Sequence, residues 1–349
     1  MKQFKTVFIV SLIAKNNKKH ALFSNKIKLL LFGLLVTGFS ANACDICGCF
    51  MGITPYDNQS SISLLYRYRS FSGYDGQKHP FFPKNARFFP VGNQLNAPIT
   101  EHNGNSTDFE VYRALELRGK YYISRRLELN AILSYNSNSE QYNANLSSVT
   151  GIGDVTFYGG YHLLRKLDQK TVNQRLIVGV GIKLATGNNS VENVDGIRYS
   201  TLTQTGTGST DGFVYVNYMA GYKNAGINLS STYKVNGKNK KQESIANSTT
   251  SFLNLFYTAA LSKTVKAVPS AQFAYEYSGG EKYQGVKTGE HLMNNLMTGI
   301  GLDVFVKNVG INMAIQTNAW SATDDHPKPS GRVVLGLSYN FNQLYYLVK

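Results

Sequence analysis

The chain has 349 residues, with 36 Lys+Arg against 21 Asp+Glu for a formal charge of +15, and a hydrophobic content of 42%. Seven lysines and no acidic residue fall in residues 1–43, so the remainder carries 29 basic and 21 acidic residues, and that excess is spread along the chain rather than gathered in a block. Spread basic charge argues against nucleic-acid binding, and beyond the leader no stretch approaches the roughly 18 apolar residues of a helical membrane span.

The leader comes first. "NKIKLLLFGLLVTGFSANA" supplies a basic flank (Lys26, Lys28), an apolar run from Leu29 to Phe39 and the small residues Ala41 and Ala43 of a signal-peptidase site. The apolar run is about 11 residues, roughly 16 Å as helix, short of a ~30 Å hydrocarbon core. Residues 1–43 therefore read as a signal peptide.

Cleavage there would leave Cys44 at the mature N-terminus, within "CDICGC", which holds all 3 cysteines. Cys44, Cys47 and Cys49 admit three readings. Acylation of Cys44 is one, although Ala41 replaces the leucine usual in a lipobox. A disulfide is another, and it leaves one thiol over. A soft-metal site for copper or zinc is the third, because three thiolates suit Cu(I), while a closed zinc site usually has a second motif that is absent here.

From residue 59 onward, period-2 alternation recurs in segment after segment. Leu127, Leu129, Ala131, Leu133 and Tyr135 oppose Glu128, Asn130, Ser134 and Asn136. Val333, Leu335, Leu337, Tyr339 and Phe341 oppose Gly336, Ser338 and Asn340. Twelve segments follow this rule: 59–71, 107–123, 126–138, 152–164, 173–186, 210–223, 226–236, 249–263, 267–278, 291–307, 309–319 and 331–341. Most exceed the 5–6 residues typical of soluble strands and meet the roughly 9–11 that a tilted strand needs to cross a bilayer. The 23 Tyr, many at strand ends, suit an interfacial girdle.

The connections alternate in length. "SRR", "KNAG", "KTVKAV" and "KNVG" are tight, whereas 72–106, 139–151, 187–209, 237–248, 279–290 and 320–330 are long and polar. That rhythm predicts an all-β fold, a transmembrane antiparallel β-barrel of about 12 strands with short periplasmic turns and long extracellular loops. The expected organisation is a signal peptide (1–43), a periplasmic Cys-rich segment (44–58), an outer-membrane barrel (59–341) and a periplasmic tail (342–349). Closure leaves no sheet edge exposed to lipid.

Three stretches carry a resemblance. "TGIGDVTFYGGYHLL" (150–164), "VGVGIKLATG" (178–187) and "QTGTGSTDGFVYVNYMAGY" (204–222) resemble the conserved strand ends of a transporter-like barrel family named for the meta-pathway of phenol degradation, with Ala185 in place of the usual proline. "CDICGC" resembles the mature start of many uncharacterised barrels of Gram-negative bacteria. The resemblance implies a barrel in the cell outer membrane and transport, without naming a solute. Read physically, Gly151, Gly153, Gly206 and Gly208 permit sharp turns or close approach, and Asp154 and Asp211 lie where loop hydrogen bonds can reach them. No helix follows "GTGS" to make it a phosphate cradle.

Alternation places Arg67, Arg69, Glu116, Arg118, Lys120, Glu128, Lys183, Lys234, Glu276 and Asp303 on the inward face, since a base facing lipid costs ~2–4 kcal/mol near the midplane. They line a permeation path or brace the wall as a self-satisfied ion-pair network. In "KHPFFPKNARFFPVG" (78–92), Phe81, Phe82, Phe88 and Phe89 are expected to plug the lumen, pack on the rim or capture an apolar or aromatic solute. Of His79, His102, His162, His291 and His326, none forms a defensible pair with a serine, so no catalytic residue is assigned.

The functional expectation is a narrow, loop-gated channel or transporter for a small solute. The alternatives are a metal-handling accessory protein using the cysteines and a non-conducting structural barrel. Expected partners are outer-membrane lipid, the barrel-assembly machinery and a small-molecule solute.

Overall fold

The computed structural model describes residues 59–72, 81–82, 108–142, 145–166, 172–287, 292–322 and 328–341. Twelve staves are formed: β1 (Ser60–Ser72), β2 (Phe109–Tyr122), β3 (Leu127–Tyr142), β4 (Thr156–Lys166), β5 (Asn173–Lys183) and β6 (Asp211–Tyr222). The second half comprises β7 (Ala225–Val235), β8 (Ser248–Tyr257), β9 (Val265–Gly279), β10 (Leu292–Val306), β11 (Val309–Ser321) and β12 (Lys328–Phe341). Each pairs antiparallel with its sequence neighbour, and β1 pairs with β12 from Ser60↔Phe341 to Ser72↔Lys328. The sheet is therefore closed. Two short segments extend staves: Asn145–Ile152 continues β4 upward against β3, and Ala259–Ala260 continues β8 against β9.

Closure inverts the usual burial. Side chains alternate across each strand, and the large aliphatic residues point outward: Ile300 is 67% exposed and Val180 65%, with Leu64, Leu117, Leu133, Ile311 and Leu337 also exposed. In water such a surface would be an aggregation hazard. In a bilayer it is the required one. Exposed Tyr121, Tyr161, Tyr222, Tyr257 and Tyr339 mark the short-turn end, and Tyr135, Tyr233, Tyr275 and Trp320 the long-loop end. These are the two aromatic girdles expected at lipid–water boundaries.

The interior is polar and packed. Asn217, Asn228, Gln272 and Gln316 are buried on inward faces, interspersed with small apolar clusters such as Phe252, Ala274 and Met297. At the short-turn end Val268 and Phe305 pack with Met219 and Phe256.

One expected loop is corrected. Residues 139–151 were read as an outer loop, but β3 runs on to Tyr142 and Asn145–Ile152 returns beside it, with Tyr142↔Asn145 and Tyr135↔Ile152 in register. "NSNSEQ" (136–141) alternates polar with polar, so it lacks the apolar phase that betrays a strand. Above the bilayer neither face has to be apolar. Other long connections also contain strand: Glu243–Ile245, Glu281–Tyr283 and Val286–Lys287 form a small sheet tying the β7–β8 loop to the β9–β10 loop.

Candidate functional site

The ten charged residues expected inside all fall on the inward face of this register, and carboxylates there are shared between cations. Glu116 on β2 accepts Arg67 of β1 at 3.0 Å and also Arg118, two residues along its own strand and so on the same face. Asp211 of β6 lies 3.0 Å from Lys183 of β5 and 3.0 Å from Lys234 of β7. Glu276 on β9 reaches side chains three and four staves away, with Oε2 2.5 Å from Arg69 of β1 and Oε1 bonded to Arg332 of β12. Arg332 also donates to Gln316 at 3.0 Å, which donates to Gln272 at 2.8 Å. Buried charges persist when paired and hydrogen-bonded, and each arrangement meets that condition.

The remaining members are placed similarly. Glu128 lies 3.2 Å from Nε2 of the buried His162, and Asp303 accepts the Asn312 amide at 2.7 Å. Lys120 sits 5.5 Å from the centroid of the Tyr122 ring. Alternation alone would have placed Arg332 as well, since extending the 333–341 pattern by one residue turns it inward beside its register partner Arg69.

The mouth is occupied by the connection 184–210, which folds onto the inward face of β3. Asn136 donates to the Thr205 carbonyl at 2.9 Å, and Asn138 to the Gln204 carbonyl at 2.9 Å and the Thr203 carbonyl at 3.2 Å. Glu140 accepts the hydroxyls of Ser200 and Thr203. Tyr199, Thr201, Thr203, Gln204 and Thr205 are buried as a result. The sequence predicts 187–209 only as an outer loop and gives no sign of Asn136, Asn138 and Glu140, because these contacts join residues sixty or more positions apart, such as Asn138 and Gln204 with a separation of 66.

Asp154 latches this loop. It accepts the Lys183 ammonium at 2.5 Å, the Gly187 N–H at 2.9 Å and the Thr207 N–H at 3.0 Å. The glycine motifs now have a cause. Gly187 and Gly206 cross so closely that a Cβ on either would come within 2.7 or 2.6 Å of the other's backbone. Gly208 adopts φ +69°, a left-handed conformation that disfavours other side chains. Asp211 accepts Ser209 at 2.8 Å and the Gly237 N–H at 3.0 Å, and Arg198 bonds Glu243 at 2.8 Å, so the neighbouring loop is tied in too.

Phe81 and Phe82 do not enter the lumen. Ser70 donates to the Phe81 carbonyl at 2.8 Å, the Phe81 ring covers Gly331, and the Phe82 ring lies 5.4 Å from Tyr68. Tyr68 and Gly331 share the phase of the lipid-facing Leu64 and Leu335, so these phenylalanines pack on the outer rim. Phe88 and Phe89 lie outside the described residues, as do Cys44, Cys47, Cys49, His79, His102, His291 and His326. Among the described residues no group of three or more His, Cys, Asp or Glu is placed to hold a metal ion.

A closed barrel of twelve staves with an apolar belt, two aromatic girdles and a polar interior defines an outer-membrane β-barrel. No protein-family model and no curated protein matches the chain. Among solved structures it is similar to an outer membrane channel from Pseudomonas putida F1, with a TM-score of 0.57 and 14% identity over 83% of this chain and 100% of that one. The β-domain of the Bordetella autotransporter BrkA gives 0.43 and 12% over 82% and 100%, and outer membrane phospholipase A from Escherichia coli 0.35 and 15% over 84% and 100%.

Proposed function

We propose that the protein is an outer-membrane channel, of the transporter-like class its motifs resemble, whose mouth opens when the connection 184–210 leaves the inward face of β3. One observation carries this reading: the connection is held at the mouth by hydrogen bonds to β3 and to the Asp154 carboxylate. Hydrogen bonds of this kind exchange with water at a net cost of about 0.5–1.5 kcal/mol each, so the plug is removable. A barrel of about eight strands is filled by its own side chains. Twelve strands leave room that this chain fills with a loop.

The solute is small. With Phe81 and Phe82 on the outer rim, aromatic surface inside the barrel includes the inward cluster of Tyr158, Phe213 and Tyr215, in which the Phe213 and Tyr215 rings lie 6.0 and 5.6 Å from Tyr158. This supports an apolar or aromatic body. The orientation proposed is long loops outward and short turns toward the periplasm, and no catalytic role is proposed.

Proteoliposomes containing the purified protein are expected to leak a small sugar alcohol faster than protein-free vesicles. They are expected to show no turnover of phospholipid or ester substrates. Vesicles as tight as the protein-free control would support the structural-barrel alternative, and sustained hydrolysis would make the protein an enzyme.

A further inference from the structure

Arg69 and Arg332 are register partners on β1 and β12, and their guanidinium groups converge on the single carboxylate of Glu276, one on each oxygen. Two planar forks closing on one carboxylate are the geometry by which arginine recognises carboxylates. Here the occupant is a side chain of the protein itself, projecting into the interior from a stave three removed from β12 and four from β1. Each fork also lies over an aromatic ring: Arg69 is 4.5 Å from the Phe71 centroid and Arg332 6.0 Å from that of Phe252. An apolar surface therefore flanks the charged pair on either side.

Beside it are polar groups that the closed state does not use. Asn295 and Ser278 are each 1% exposed, and the Asn295 amide nitrogen and the Ser278 hydroxyl have no hydrogen-bond partner among the described residues. Asn295 accepts Ser321 at 2.6 Å through its oxygen, which leaves its nitrogen turned elsewhere. Asn295 is the cross-strand partner of Glu276, and Ser278 lies two residues further along β9 on the same face. Arg69 approaches Met293, the register partner of Ser278, at 4.0 Å, which brings its guanidinium to the same level. Buried donors without acceptors are uncommon and costly. These two stand where a displaced Glu276 carboxylate would arrive.

We propose that Arg69 and Arg332 form the recognition site for a small organic monocarboxylate with a flat apolar body, and that Glu276 is a tethered stand-in which the solute displaces. The proposal rests on the channel reading above. The solute carboxylate takes the two guanidinium groups, Glu276 swings to Asn295 and Ser278, and the solute's body lies against Phe71 and Phe252. Charge is conserved at the arginines, because one carboxylate replaces another. Selectivity then resides in one group, while the connection 184–210 closes the mouth: a neutral solute offers nothing to displace Glu276.

The test compares benzoate with benzamide, which has the same body without the charge, on the purified full chain in planar bilayers. Benzoate should interrupt the salt current at a concentration about tenfold or more below benzamide, since one charge-assisted bond is worth roughly 1.5–3 kcal/mol. Glu276→Gln should heighten the response to benzoate severalfold by removing the internal competitor. Arg332→Gln should abolish the preference, and Arg332→Lys should restore part of it. Heat-modifiable gel mobility verifies that each variant is folded, and the wild-type comparison of the two solutes needs no variant. Equal potency of benzoate and benzamide, or a preference unaltered in both Glu276→Gln and Arg332→Gln, overturns the site while leaving the channel intact. If no current is found, equilibrium dialysis of labelled benzoate decides. Binding lost in Arg332→Gln keeps the site and overturns the channel, and absence of binding overturns the site.

Discussion

Replacing Asp154 with alanine is expected to undock the connection 184–210 and raise the conductance of the barrel severalfold. The carboxylate gathers Lys183, Gly187 and Thr207 at the mouth, so its loss removes an ion pair and two backbone anchors together. A hydrogen bond to a charged group is worth about 1.5–3 kcal/mol, so losing the two that hold Gly187 and Thr207 shifts the docking equilibrium roughly 100-fold or more. Lys183 keeps Asp211 at 3.0 Å, which places the effect toward the lower end. Protease cleavage near Gly196, an exposed turn at φ +75°, should accelerate in parallel. The double variant Asp154→Ala with Lys183→Met should be milder than the single one, since no unmatched charge is left behind. Unchanged conductance and proteolysis in Asp154→Ala would show that the latch does not hold the loop.

An arginine at Ile300 is expected to be the most damaging single change on the outer wall. Ile300 is 67% exposed on β10, flanked on its own face by Thr298 and Leu302, within the apolar belt. An arginine near the bilayer midplane costs roughly 2–4 kcal/mol, about 30- to 700-fold in the folding equilibrium. The same change at Val194, 77% exposed in the 184–210 connection, should cost almost nothing because that side chain meets water. Urea titration in liposomes, followed by gel mobility, measures both. Equal tolerance at the two positions would mean that the outward face of β10 is not in lipid.

Much of this architecture is legible in the alternation of single strands. Leu127 to Tyr135 announces β3 because every second residue must satisfy lipid, and the length of connections such as Lys223–Asn224 against 184–210 announces the parity of the barrel. Where lipid no longer constrains the sequence, the signal stops. "NSNSEQ" extends β3 beyond the bilayer without an apolar phase, and its inward Asn138 and Glu140 gain their role only by meeting a loop far along the chain. The inward charges were legible for the same reason as the strands. Their partners were not, because Arg69, Glu276 and Arg332 come together only when the sheet closes. The phenylalanine-rich stretch was legible only as a set of alternatives. Composition left plug, rim and solute capture open for Phe81 and Phe82, and the rim is where they lie, the Phe81 ring over Gly331 and the Phe82 ring beside Tyr68.

The central claim is that passage through the barrel requires the connection 184–210 to move. A Cβ built on Gly151 would lie 4.0 Å from that of Thr205, within the roughly 3.5–4.5 Å span of a disulfide. Gly151→Cys with Thr205→Cys, in a chain whose Cys44, Cys47 and Cys49 are replaced by serine, therefore staples the loop to the wall when oxidised. Single-channel recording across one bilayer should show conductance abolished by oxidation and restored by a reductant. Conductance that is the same with the staple closed and open would contradict the account, because the path would then run past a loop that never moves.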